Sequence, residues 1–524
     1  MKKYFMILCL TSLLIAATRT ENQYRVPMTV WHDTNQVEMC VSNYGIFGQD
    51  GTGNNPGCFW PQGTDHTYIF GAGIWFGTID SLTGDTLVTI GYGPHGGECE
   101  FAPGLAGWSI NHPAAIIYIN PENWPPPPDT LPMAPQELVS HEDSWCCFND
   151  CDSGYHVPGD TRPIGIEVYQ TIYAWDIPCV QDMIFLMYDV KNVSGHGLND
   201  CYFGVCADCD IGNETSAASD RCAAIFERAY VIDGDTIMVD DVMYQWQEFE
   251  EPGTPPWFPG VIGFDLLQTP FDLVAGMDKD NDGIPDQYER DSVYYVSNLP
   301  SSMWDVDNDG VPDWRDPSQW PQMDASALKR FTLVLEPLND NQRYAVMAGY
   351  NFVTGQYEPY DTIPGDPEDQ RFILASGPFS LAPDSIVTIV FAIMFANWDE
   401  IYMTPDSALV LVDRQAEDYY NMYWYLYTGI EEHCEYRISD CGLKITPNPV
   451  SSGGTISFAL AAAQDVSLRL YDVTGRMMMD LVNGRVAAGS HTMPLESAFL
   501  PQGTYFLVFE SSDLKQSVAV VTVR

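Results

Sequence analysis

Two neighbouring runs, GIEVYQTIYAWD (165–176) and DMIFLMYDVKNVS (182–194), decide the fold class. Each is dense in Val, Ile, Tyr and Phe over the length of a single strand, and turn-forming residues lie between them. They are expected to pair as neighbours in a sheet. The same texture extends outward on both sides. From Thr29 onward come HTYIFGAGIWFGTID (66–80), DTLVTIGYG (85–93) and AAIIYIN (114–120), short β-like runs broken by Gly, Pro and Asn. NPENWPPPPDTLPMAPQE (120–137) reads as a stiff, exposed polyproline-like connector. The aromatic side chains crowded here are expected to pack in the core and sheets rather than to form a glycan platform.

Further along, RFTLVLEPL (330–338), RYAVMAGYNF (343–352), RFILASG (371–377) and PFSLAPDSIVTIVFAIMFANW (378–398) read as strands. One clear helix opens at Thr404-Pro405, a good cap followed by a residue suited to the first turn. Leu409, Val412, Ala416, Tyr419, Tyr420 and Tyr423 are expected on its packing face, with Asp413, Arg414, Glu417 and Asp418 largely elsewhere. The expected fold is mainly β and multidomain. It comprises a β-sandwich-type body with one clear helix, a calcium-loop insert and a C-terminal immunoglobulin-like β-sandwich.

The insert carries the firmest chemistry. DKDNDGIPDQYE (278–289) and DVDNDGVPDWRD (305–316) each place Asp at positions 1, 3 and 5, Gly at 6 and Asp at 9. Alternate carboxylates around a Gly turn are how a short loop surrounds a hard cation, with a position-7 carbonyl as a further oxygen. The expected calcium ligands are Asp278, Asp280, Asp282, Ile284, Asp286 and Glu289 in the first loop. In the second they are Asp305, Asp307, Asp309, Val311, Asp313 and Asp316. Pro285 and Pro312 lie inside the loops and the flanks lack a long helical pattern, so these are not helix-flanked EF-hands. The pair resembles the calcium repeats of thrombospondin type 3 and related bacterial surface proteins. A second acidic concentration, CYFGVCADCDIGN (201–213), holds Asp208 and Asp210, with Glu214 and Asp220 nearby. It fits no ligand spacing and reads first as a loop after a strand.

The chain carries 72 acidic and 23 basic residues, a formal net charge of −49. Such a surface repels nucleic acid and anionic lipid and attracts divalent cations. Of fourteen cysteines, Cys9 lies in an N-terminal segment with the form of a secretory signal: Lys2, Lys3, then an apolar run from Tyr4 to Ala17. In an exported chain the remaining cysteines are expected to be mainly in disulfides, with Cys434 and Cys441 a local pair. CADC (206–209) is half of a zinc pattern whose second half is missing. No later segment is long and apolar enough to suggest a transmembrane span.

Residues 443–524 contain seven strand candidates: LKITPNP, TISFAL, DVSLRLYDVTG, RMMMDLV, SHTMPLE, TYFLVFES and SVAVVTVR. Val466, Leu468 and Leu470 alternate with polar neighbours, as a half-buried strand requires. On ITPNP, LRLYDVTGR, AAGSHTM, LPQGTYFLVF and the terminal Arg524, this unit resembles the C-terminal sorting domain of the type IX secretion system. It is also similar to FlgD-type immunoglobulin-like domains. The resemblance implies a partnership with that secretion machinery, transit of the periplasm, and delivery to the cell surface or medium. Lys515 and Arg524 are the basic residues to test in it. The body, on NYGIFG, FGAGIWFG, DCDIG and SGPFSLAPDS, resembles secreted proteins bearing this tail, which implies a compartment and adds nothing on mechanism.

The expected division is 1–20 signal peptide, 21–275 β-rich body, 276–320 calcium-binding loops and 321–430 continuation of the body. A Cys-bracketed linker, 431–442, precedes the sorting domain at 443–524. Nucleophile-elbow, phosphate-loop and HExxH patterns are missing, since HEDSW (141–145) lacks the second His. The expected role is a structural or adhesive one, outside the cell, against a glycan or surface layer. The alternative is an extracellular hydrolase or glycan-binding protein with its site in the β-rich body.

Overall fold

The computed structural model describes residues 27–421 and 443–522, apart from short stretches that include 94–98, 157–161, 213–216, 252–256, 307–311, 316–318, 399–403 and 496–499. The signal segment, Tyr423 and the Cys434/Cys441 linker lie outside the described residues.

Ile166–Ala174 and Met183–Asn192 pair antiparallel, in register from Ile166 opposite Asn192 to Tyr173 opposite Phe185. They sit inside a nine-stranded sheet, flanked by Glu142–Asn149 on one side and Ile386–Ala396 on the other; Val261–Gln268, Asp235–Gln247 and Asp220–Ile232 continue it to the edge. A ten-stranded sheet faces it, built on Ala325–Thr332, Gln370–Leu381, Leu198–Asp208 and Gly71–Ile79 and closed by short strands between Thr29 and Ile90. Side chains from the two inner faces meet in one core. Ile74, Phe76, Phe203 and Leu374 come from the ten-stranded sheet, and Phe148, Val168, Ile184, Phe264 and Phe391 from the nine-stranded one. Burying each such side chain stabilises by roughly 1.5–3 kcal/mol. The body is therefore a mainly β sandwich, and its large aromatics Trp75, Trp145, Tyr68 and Tyr188 are buried packing residues. The chain alternates between sheets: Thr29–Ile90 in one, Ala102–Asn192 in the other, Leu198–Asp208 back in the first, then Asp220–Gln268 in the second.

Among the described residues the α-helices are α1 (Ser292–Asn298), α2 (Asp340–Met347) and α3 (Pro405–Tyr419). α2 replaces the strand expected at 343–352. Asn339 caps it by accepting the Gln342 N–H at 3.1 Å, and Val346 and Met347 cover Trp75, Val88 and Ile373 on the outer face of the ten-stranded sheet. The strand expected at 330–338 ends at Thr332. α3 covers the outer face of the nine-stranded sheet through Leu409, Val410, Ala416, Tyr419 and Tyr420, against Trp175, Phe185 and Val242. Asp413 departs from expectation: it is buried on the same face, because it follows Leu409 by four residues and precedes Ala416 by three. The Pro-rich connector also differs in part. Leu131 and Ala134 turn inward and pack with Trp145 and Tyr169.

The insert leaves and rejoins the sandwich at one point. Phe271 bridges Gln322 antiparallel, Asp272 N–H donates to Pro321 O at 2.8 Å, and Met323 N–H donates to Pro270 O at 3.0 Å. All seven strands read in the tail are present, in sheets of three and four strands. Val466, Leu468 and Leu470 point into a core of their own with Ile456, Phe458, Leu507 and Phe509.

Candidate metal centre

The first loop is held by its own backbone. Asp282 N–H donates to Asp280 Oδ1 at 3.3 Å, and Ile284 N–H donates to Asp282 Oδ1 at 2.7 Å. Gly283 has φ +96°, with open space where a Cβ would stand, so glycine is there for backbone conformation and not for packing. Asp286, buried, closes the loop: its Oδ1 accepts the Lys279 N–H at 2.9 Å and its own N–H donates to Met277 O at 2.9 Å. Asp313 repeats this at the ninth position of the second loop. It accepts from Val306 N–H at 3.1 Å and donates its N–H to Trp304 O at 2.8 Å. Each is followed by a short 3₁₀ turn, Asp286–Tyr288 and Asp313–Arg315. Asp305, Asp307, Asp309, Val311 and Asp316 lie outside the described residues.

Carboxylate oxygens of Asp278, Asp280 and Asp282 all come within 4.8 Å of one another on the exposed side of the loop. Ile284 is buried, and so is Glu289, near enough to Asp282 and Asp280 for their charges to act on it. Glu289 Oε2 lies 3.3 Å from the Tyr295 hydroxyl, while its buried Oε1 has no hydrogen-bond partner. α1, capped by Asp291, supplies Tyr295, which packs edge-on to Trp314 at 5.2 Å and so ties the two loops together. α1 spans seven residues, short of an EF-hand helix. Burial, then the charges of Asp282 and Asp280, pushes Glu289 up to about 8. Burial, followed by the charges of Asp280, Asp278 and Asp313, pushes Asp282 up to about 6. A divalent cation among these oxygens would reverse both shifts.

The second acidic concentration assembles differently. Asp208, Asp210 and Asp369 bring carboxylate oxygens within 4.8 Å of one another. Asp208 ends a strand of the ten-stranded sheet and Asp369 immediately precedes its neighbour, where Asp208 pairs with Arg371. Reading the sequence locally found Asp208 and Asp210 but not Asp369, which only strand pairing brings to them. Glu214 lies outside the described residues.

The cysteine clusters do not form the expected disulfides among the described residues. Cys40, Cys58, Cys99, Cys146, Cys201, Cys206, Cys209 and Cys222 carry free thiols. Strand alternation separates Cys146 from Cys147, and Cys206 from Cys201 and Cys209. Cys146 enters the sandwich core and Cys147 the separate cluster around Trp145. Cys206 faces α2, whereas Cys201 and Cys209 face the sandwich core, so CADC does not present two thiols to one ion. A cleft of about 370 Å³ opens beside α2, lined by Lys329, Tyr350, Phe352, Glu358, Asp366 and Glu368 among others.

Fold and loops together define a mainly β protein with an acidic, two-loop insert. Residues 444–523 match the family model described as a secretion system C-terminal sorting domain, which supports secretion of the chain through that route. No helix among the described residues is long and apolar enough to cross a membrane. No curated protein matches the chain. A solved structure titled a polysaccharide lyase aligns with 95% of this chain and 46% of its own, at 6% identity and a TM-score of 0.21. The chain thus spans less than half of that protein, and a likeness this slight carries no argument.

Proposed function

We propose that the chain is a secreted or cell-surface protein, delivered through the type IX secretion system by residues 443–524. Calcium held by the loops 278–289 and 305–316 stabilises it in a structural or adhesive role. The observation that carries the calcium reading is Glu289. A buried carboxylate with one unpartnered oxygen, under the charges of two of three converging aspartates, is costly unless a cation completes it. The pattern shared by Asp286 and Asp313 supports the same reading for the second loop. Extracellular modules of this kind bind calcium at about 10⁻⁴–10⁻³ M. At a hundredfold excess over the dissociation constant each site contributes roughly 2.7 kcal/mol. Calorimetric titration is the test: Asp280→Ala and Asp307→Ala should each lower calcium uptake by one ion and shrink the calcium-dependent rise in melting temperature. Uptake by both variants equal to wild type would reject the reading.

The cleft beside α2 favours a second reading, a glycan-binding body, because it sets Tyr350 and Phe352 beside Glu358, Asp366 and Glu368. Glycan-array screening of the body, with Tyr350→Ala as control, decides between them.

A further inference from the structure

We propose a further calcium site, separate from the two loops, formed by Asp208, Asp210, Asp220 and Asp369 where the chain crosses from one sheet of the sandwich to the other. Three of these carboxylates already share a space one ion can fill, since oxygens within 4.8 Å of one another can all lie at the roughly 2.3–2.6 Å that calcium takes. The independent observation is Asp220. It is fully buried at the start of Asp220–Ile232 in the nine-stranded sheet. Its Oδ2 accepts from Ile211 N–H at 3.0 Å and Gln245 Nε2 at 3.2 Å, while its Oδ1 has no partner. The charges of Asp210 and Asp369 both reach it.

The remaining polar atoms point the same way. Asp208 Oδ2 is taken by Arg371 Nη2 at 2.8 Å and by the Tyr92 hydroxyl at 2.8 Å, but its buried Oδ1 is unpartnered. Asp369 Oδ1 and the neighbouring Gln370 Oε1 are buried and unpartnered as well. Among the described residues, Arg371, which also pairs with Glu336, is the guanidinium ion-paired to this cluster, through Asp208. Such an arrangement sets more carboxylates in a low-dielectric space than one guanidinium balances, and a hard oxygen-seeking cation is the species that satisfies the rest. The ion would join Asp208 and Asp369 of the ten-stranded sheet to Asp220 of the nine-stranded one, and so clasp the two layers together at this end.

The test uses the full exported chain with both loops disabled by Asp280→Ala and Asp307→Ala, so that it reads this site alone. Calorimetry and melting are followed from chelator to about 5 mM calcium, above the roughly 10⁻⁴–10⁻³ M expected of an extracellular module. The double variant should still take up one calcium ion and gain melting temperature from it. Adding Asp210→Asn or Asp369→Asn should weaken that uptake by on the order of tenfold or more, since affinity follows ligand charge. In chelator these same Asn variants should melt at or above their parent, because they remove repulsion when no ion is present. No residual calcium uptake by the double variant would overturn the proposal. So would unchanged binding after either Asn substitution, or Asn variants that melt below their parent in chelator, which would make the carboxylates ordinary structural acceptors.

Discussion

Glu289 places an acid where water does not reach, and its protonation is therefore tied to folding. Unfolded, it releases its proton near a pKa of about 4.3. Folded and free of cation, it keeps the proton up to about 8, because burial and the charges of Asp282 and Asp280 oppose ionisation. A group raised in this way contributes stability that is full below the unfolded value and is lost as pH rises through the folded one. The expected result in chelator is a melting temperature that declines between about pH 5 and pH 8, with a shallower decline in Glu289→Gln. Calcium affinity at the loop should rise over the same window, as protons cease to compete for the carboxylates. Thiols give a second residue-scale expectation. Burial raises Cys146, Cys206 and Cys222, so these should alkylate only after denaturation, and should do so without added reductant. Mass spectrometry of native and denatured samples checks both parts.

Among elements, α3 is where polarity and packing conflict. Asp413 is 1% exposed and lies against Asp265 and Asp241 of the underlying strands. Burial first, then the charges of neighbouring acids, holds Asp413 and Asp241 well above the carboxylate range, and burial with the charge of Asp240 holds Asp265 at about 7. These raised acids again make stability fall as pH increases. Asp413→Asn should therefore melt higher than wild type at about pH 8 and nearly level with it at about pH 5, a difference that thermal scans at the two values resolve. Asp413 also shows where sequence reading stops. Its charge argued for solvent, and its spacing from Leu409 and Ala416 argued for the core; spacing prevailed because the helix buries one whole stripe. The strand pair 166–174 and 183–192 was legible because its composition and length each said strand. α2 was not, because Tyr344, Val346 and Met347 suit a strand equally, and the helix signal lies upstream at Asn339. The acidic pattern of the loops was legible because each one lies within twelve consecutive residues. Asp369 was hidden because it meets Asp210 only through the pairing of Asp208 with Arg371.

For the whole molecule, the pinch at Phe271 and Gln322 sets the insert's two ends side by side. Replacing 273–320 with a short Gly-Ser linker should leave the sandwich melting in one transition within a few degrees of the calcium-free parent. Calcium binding at both loops should disappear, as calorimetry would show. Removing 443–524, which has its own core, should leave the body folded but retained in the periplasm, read by fractionation and immunoblot. The alternation of the chain between sheets has a consequence in time. Because both layers draw strands from early and late stretches, the ten-stranded one cannot close until the chain through Leu381 is available, nor the nine-stranded one until Ala396, and the central pairings of Leu198–Asp208 and of Ile386–Ala396 join residues far apart in sequence. Loop closure must come before the contacts that reward it, so the body should fold slowly and as one unit. A chain halted partway through synthesis would hold unpaired strand edges from both layers, the state most open to aggregation.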